Sequence, residues 1–224
     1  MTRYRLLAAM VLTAWLATPA PAEYIITIET KTLPSQGGTV DVFIRSTTGS
    51  DVLDSFGIAF QIAADVQPPN PRQLLFQSPQ LDSQLQDTLY VFYGLSGTPG
   101  PLANVTGTTV PFDTYVGGDA TADGLGVIVG TTDQLLARLN LTPSTIGSLV
   151  PIAGDIFSVS LLSGSNFFLD PNFQPVDFSG VGGKITIQSP SPTPIPEPTT
   201  GGLAAAAVAF AVLGRVWRSS SVGR

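Results

Sequence analysis

Between residues 24 and 188, apolar and polar positions alternate in a series of short runs, each bounded by Gly, Pro, Asn or Asp. A period of two is what a strand with one face on a core requires. Residues 24–32 (YIITIETKT) place Ile26 and Ile28 on one face. Gly37 and Gly38 then turn the chain. Residues 39–47 (TVDVFIRST) put Val40, Val42 and Ile44 inward and Asp41 and Arg45 outward. Residues 56–62 (FGIAFQI) direct Phe56, Ile58, Phe60 and Ile62 to the core. Further strands are predicted at 88–93 (TLYVFY), 126–130, 155–162 (DIFSVSLL) and 181–188 (VGGKITIQ). Residues 135–141 (LLARLNL) alternate Ala137, Leu139 and Leu141 against Arg138 and Asn140. Strand is favoured there over a helix capped by Thr131 and Gln134. Pro143 and Pro151 mark a loop. Eight or nine strands with frequent turns predict an antiparallel two-sheet β-sandwich, flanked by an N-terminal signal helix and a single C-terminal transmembrane helix.

The flanks follow a different pattern. Arg3 and Arg5 precede an apolar run at 6–17, and Ala20-Pro21-Ala22 then supplies small residues at the −3 and −1 positions of a cut before Glu23. That order is the three-part plan of a secretory signal peptide. A buried N-terminal helix is the rival reading. At the other end, residues 188–200 (QSPSPTPIPEPTT) hold five prolines in a polar run, which makes an extended spacer. Residues 201–213 (GGLAAAAVAFAVL) are apolar, and Arg215, Trp217 and Arg218 follow as a membrane stop. Snorkelling arginine and interfacial tryptophan extend this short stretch to a single span with its C-terminus in the cytoplasm.

Composition narrows the chemistry. The 224 residues include 23 Gly, 19 Pro and only 12% charged residues, and neither Cys nor His. Thiol nucleophiles, disulfides, Cys/His zinc sites and Ser-His-Asp triads are excluded. All 16 acids lie between Glu23 and Glu197, accompanied only by Lys31, Arg45, Arg72, Arg138 and Lys184. So acidic a body does not bind nucleic acid.

Pro196-Glu197-Pro198, a following apolar helix and a basic end together resemble a PEP-CTERM sorting domain over roughly the last thirty residues. The resemblance implies recognition by an exosortase, a membrane-embedded cysteine-type enzyme that cuts near the motif and releases the protein to the cell surface or matrix. Pro196, Glu197 and Pro198 are then residues acted upon. An ordinary C-terminal tail anchor is the rival. The body resembles a cohesin-like, immunoglobulin-type sandwich through GGTVDVFIRS with FGIAFQI, GDIFSVSLL and the closing GKITIQ.

Within the body, residues 119–124 (DATADG) match the first half of a calcium loop through Asp119, Thr121, Asp123 and Gly124, but Gly130 stands where the bidentate acid belongs. A solvated turn is the alternative reading, and no metal or other cofactor is expected. Asp51 with Asp54, or Asp82 with Asp87, are the carboxylate pairs available for sugar hydrolysis. Asn104-Val105-Thr106 is a formal glycosylation acceptor. Tyr90, Phe92 and Tyr93 are candidates for a sugar-stacking platform or for the core.

The sequence therefore predicts a signal peptide (1–22, cleaved at Ala20-Pro21-Ala22), a β-sandwich body (23–188), a Pro-rich linker with the PEP motif (189–200), a transmembrane helix (201–218) and a cytoplasmic basic tail (219–224). The expected function is that of an exported, non-enzymatic surface or matrix protein, anchored transiently in the inner membrane. Its expected partners are signal peptidase and the general export machinery, an exosortase, the membrane and extracellular polysaccharide. The alternative is an adhesive module binding glycan or protein. A carboxylate-only glycosidase is a third reading.

Overall fold

The computed structural model describes residues 23–65, 72–98, 102–106 and 113–188. The expected signal peptide, PEP linker, transmembrane helix and tail lie outside the described residues, as do Ala20, Ala22, Pro196, Glu197, Pro198, Arg215, Trp217 and Arg218. No helix among the described residues is long and apolar enough to cross a membrane.

The body is all-β. One sheet has five strands in the order β13-β1-β3-β10-β6: β1 (Glu23–Ile28), β3 (Gly38–Ser46), β6 (Leu74–Phe76), β10 (Gln134–Pro143) and β13 (Asp177–Val181). The second runs β2-β14-β11-β5-β8-β7, with β2 (Lys31–Leu33), β5 (Ser55–Ala64), β7 (Ala103–Thr106), β8 (Thr114–Ala120), β11 (Ile156–Leu161) and β14 (Gly183–Ile187). Its seventh strand, β12 (Phe167–Leu169), pairs with the first residues of β5 on the edge that β11 occupies further along. β4 (Asp51–Leu53) and β9 (Val127–Val129) form a small third ladder.

The alternation predicted the core faces well. Tyr24, Ile26 and Ile28 of β1, Val40, Val42 and Ile44 of β3, and Phe56, Ile58, Phe60 and Ile62 of β5 are all buried between the sheets. Residues 135–141 are strand, as favoured. A bulge between Leu135 and Ala137 turns Leu135, Leu136 and Ala137 all into buried positions, since an inserted residue resets the alternation.

Four expectations need correction. The sheets are mainly antiparallel, but β1 pairs with β13 and β2 with β14 in parallel, so the first and last strands close both sheets together. The run 24–32 is two strands, one in each sheet, because the chain crosses between sheets at Glu29 and Thr30. Residues 88–93 are turns with one bridge at Tyr90 rather than a strand. Pro143, expected in a loop, ends β10 opposite Leu74 of the edge strand β6, a place proline tolerates.

Strand directions give the body two distinct ends. Glu23, the turns following β3, β4 and β12, and the start of β10 lie at one, the entry end. The β2–β3 turn, residues 144–155 and the close of β14 lie at the other, the exit end.

Candidate functional site

The outer face of the seven-stranded sheet carries a groove of about 850 Å³. Its floor is made by outward positions of β5 and β8, which are small: Ser55, Gly57, Gly118 and Ala120. Backbone crowding requires the glycine at 118, and at 57 a side chain would displace the Phe167 ring. A Cβ on Gly57 would meet Cε1 of Phe167 at 2.3 Å, and one on Gly118 would meet the carbonyl oxygen of Phe56 at 2.6 Å. Phe167, opposite Gly57 in register, therefore lays its ring over the floor, and Val116, Leu169 and Phe173 raise the walls.

Phe173 stands 72% exposed and adopts φ 58°, a left-handed conformation unusual for a residue with a Cβ. The turn beneath it is held by Asp170, whose Oδ1 accepts the backbone N–H groups of Asn172 and Gln174, each at 2.8 Å. The Gln174 N–H foremost, then that of Asn172, holds the Asp170 carboxyl below its usual range. Phe167, by contrast, projects from strand β12 and is 48% exposed. Among the described residues, the groove's lining presents no free charge. Its one carboxylate, Asp119, is buried and committed: Oδ2 accepts the Tyr90 hydroxyl at 2.8 Å and Oδ1 accepts the Thr98 hydroxyl at 2.7 Å and the Ala120 N–H at 2.8 Å.

Those bonds engage the oxygens that the calcium reading of 119–124 calls on. Asp119 faces inward and spends its oxygens on protein donors. Thr121 donates its hydroxyl to buried Asp54, and Asp123 caps the N–H of Leu125. No three metal-ligating side chains gather among the described residues. The carboxylate pairs are likewise occupied separately. Asp51 accepts from Ser46, and Asp82 from the Leu102 N–H at 3.0 Å. Asp87 accepts the Leu89 N–H and pairs with Arg138 at 2.9 Å, and the two donors, the Leu89 N–H first, hold its carboxyl low.

The aromatic trio divides. Phe92 is fully buried and stacks on Phe56 with ring centroids 5.6 Å apart. Tyr90 is buried with its hydroxyl on Asp119, and burial first, the carboxylate second, pushes its phenol far above the ordinary range. Only Tyr93 remains exposed, so no three-ring sugar platform exists. Asn104 is exposed on the edge strand β7 beside the groove.

Sequence reasoning missed Phe167 and Phe173 as wall residues. The signal available was the pair of phenylalanines at alternation-breaking positions beside Asp-Pro-Asn, a turn former.

No protein-family model matches the chain, and no curated protein matches it. Solved structures similar to it include the seventh ScaB type I cohesin from Pseudobacteroides cellulosolvens, 11% identical with a TM-score of 0.48, over 75% of this chain and 94% of that one. A chain of a type I cohesin–dockerin complex (Coh-OlpA–Doc918) from Clostridium thermocellum is 13% identical with a TM-score of 0.45, over 75% of this chain and 99% of that one. A non-cellulosomal cohesin from the archaeon Archaeoglobus fulgidus is 16% identical with a TM-score of 0.42, over 75% of this chain and 92% of that one.

Proposed function

We propose that this chain is an exported, non-enzymatic protein of the cell surface or extracellular matrix, and that its sandwich docks an uncharged apolar segment of a protein partner. The groove on the seven-stranded sheet is the observation that supports the docking role. Phe167, Phe173, Val116 and Leu169 wall a glycine floor, and apolar walls around a concave site favour apolar side chains. A sugar would need several free polar groups to satisfy its hydroxyls. The lining offers the side chains of Ser55 and Asn104, while Thr98 and Asp119 are engaged with each other. A protein partner is therefore favoured over glycan.

The sorting role rests on the order of sequence signals. Cleavage by signal peptidase at Ala20-Pro21-Ala22 follows passage through the general export machinery. Residues 201–218 hold the chain in the inner membrane, and an exosortase acts at Pro196-Glu197-Pro198 within the linker 189–200, leaving residues 219–224 in the cytoplasm.

One experiment in a host with an exosortase tests both roles. Glu197→Gln should keep the chain in the membrane fraction, where the unaltered protein is released. Phe167→Ser with Phe173→Ser should leave release intact and lower retention in the washed matrix about tenfold, the effect of truncating central aromatic anchors. Normal release of the Glu197 variant would overturn the sorting role, and unchanged retention of the double variant would overturn the docking role.

A further inference from the structure

We infer that the exit end of the sandwich is a membrane-facing surface, which rests on the lipid interface while the C-terminal segment anchors the chain. This inference depends on the anchor reading of residues 201–218. Three observations about the body itself converge on that end.

The first is apolar exposure. The stretch 144–156 carries Ile146, Ile152 and Ile156, which are 59%, 51% and 40% exposed. The second is their position beside the last described residues. The Ile187 carbonyl accepts the Gly154 N–H at 2.9 Å, the Ile187 N–H reaches the Asp155 carbonyl at 2.9 Å, and Ile156 pairs with Thr186. The chain thus leaves the body beside Ile152 and Ile156, with Ile146 in the same connection between β10 and β11. The spacer 189–200 follows directly, and twelve extended residues reach only about 37 Å. The end of the body from which residue 188 leaves is therefore the one that this spacer keeps within reach of the bilayer.

The third is charge. Three of the body's five basic residues sit at the exit end, each against one acid: Lys31 with Glu29 at 3.1 Å, Arg72 with Asp155 at 2.9 Å and Lys184 with Asp65 at 3.1 Å. Among the described residues of that end, Asp113 makes no ion pair. Among the described residues of the entry end, Glu23, Asp51, Asp123, Asp133, Asp170 and Asp177 are accompanied by Arg45 alone, 4.0 Å from Asp133. An anionic leaflet repels the entry end and tolerates the balanced exit end. Isoleucines at an interface of neutral charge gain from contact with acyl chains. Both effects turn the body the same way round.

The chain has no cysteine, so single-cysteine variants take one label each. The full chain is reconstituted in vesicles of phosphatidylethanolamine and phosphatidylglycerol carrying a lipid-borne quencher, with an environment-sensitive fluorophore at Ile152→Cys, Asp123→Cys or Ala205→Cys. Quenching at 152 should exceed that at 123 by about fivefold, as expected for a residue at the lipid interface, with 205 quenched most. In a chain labelled at Gln36→Cys, on the same end, replacing the three isoleucines with glutamate should reduce quenching to the level found at 123. Quenching at 205 with none at 152 beyond that at 123 would overturn the inference while leaving the anchor in place. Absence of quenching at 205 would remove the anchor, and the inference with it.

Discussion

A buried carboxylate is tolerated only where its oxygens find donors, and Asp119 finds three: the hydroxyls of Tyr90 and Thr98 and the N–H of Ala120. The consequence is mechanical. Tyr90 belongs to the irregular stretch that closes the open edge of the sandwich beside β10, and Thr98 follows the bridge of Ser96 to Thr121, so one side chain ties both to β8. Asp119→Ala removes the acceptor and leaves two hydroxyls unpaired, one of them in a dry interior. Such orphaned groups cost about 1–3 kcal/mol apiece, so the variant should lose on the order of 3 kcal/mol in urea denaturation. Tyr93→Ala, three residues from Tyr90 but facing solvent, should change stability by less than about 0.5 kcal/mol. Equal losses in the two variants would show that Asp119 does not hold the fold in this way.

At the scale of elements, the best-read parts were those whose environment is set by their own alternation. Strands β1, β3 and β5 were legible because each has one face on the core and one outside, and Val40, Val42 and Ile44 announce this without help. What was not legible depends on distant partners. The side-chain amide of Gln80 takes both backbone groups of Asn140, accepting its N–H at 2.8 Å and donating to its carbonyl at 3.0 Å, and so stands in for a missing strand beside β10. No local pattern distinguishes that glutamine from its neighbours Gln77, Gln84 and Gln86. The short strands β2, β4, β6 and β12, of three residues each, are too brief to display a period. The groove was hidden for a related reason: its floor is built from residues without side chains, which hydrophobic patterning passes over. Its outer wall should respond to acid. The Asp170 carboxyl is held low by the N–H groups of Gln174 and Asn172, so its support of the 170–174 turn is complete above the usual carboxylate range and is lost as pH falls below about 4. Amide resonances of Asn172 and Gln174 should shift together through that acid window. In Asp170→Asn, whose amide oxygen can still accept the bonds, the shift should vanish while the turn persists. An unchanged titration in that variant would assign the effect to another group.

For the whole molecule, the parallel pairing of β1 with β13 has a consequence for the order of events in the proposed export. Glu23 is the residue after the expected cut, and it opens β1 opposite Asp177, its carbonyl accepting the Thr47 N–H at 3.0 Å. Tyr24, next in line, is completely buried between β3 and β13 and packs edge-on against Phe168. A signal peptidase must take the residues on both sides of the bond in extended form into its own site. It cannot do so while Glu23 and Tyr24 are hydrogen-bonded into a five-stranded sheet. Opening that strand means undoing the ladder on both of its edges, since β1 lies inside the sheet, and the frayed state is correspondingly rare. The proposed cleavage after Ala22 is therefore expected before β1 docks, and β1 cannot complete its pairing with β13 until Asp177–Val181 has emerged. Purified precursor refolded with its leader attached should be cut by signal peptidase in detergent at least about tenfold more slowly than the same precursor diluted freshly from urea, because only the open fraction is a substrate. A precursor with Ile26→Ala, which weakens the docking of β1, should regain part of the difference. Equal rates for folded and unfolded precursor would mean that the cut lies upstream of Glu23, far enough from the sheet for the peptidase to reach it without disturbing β1.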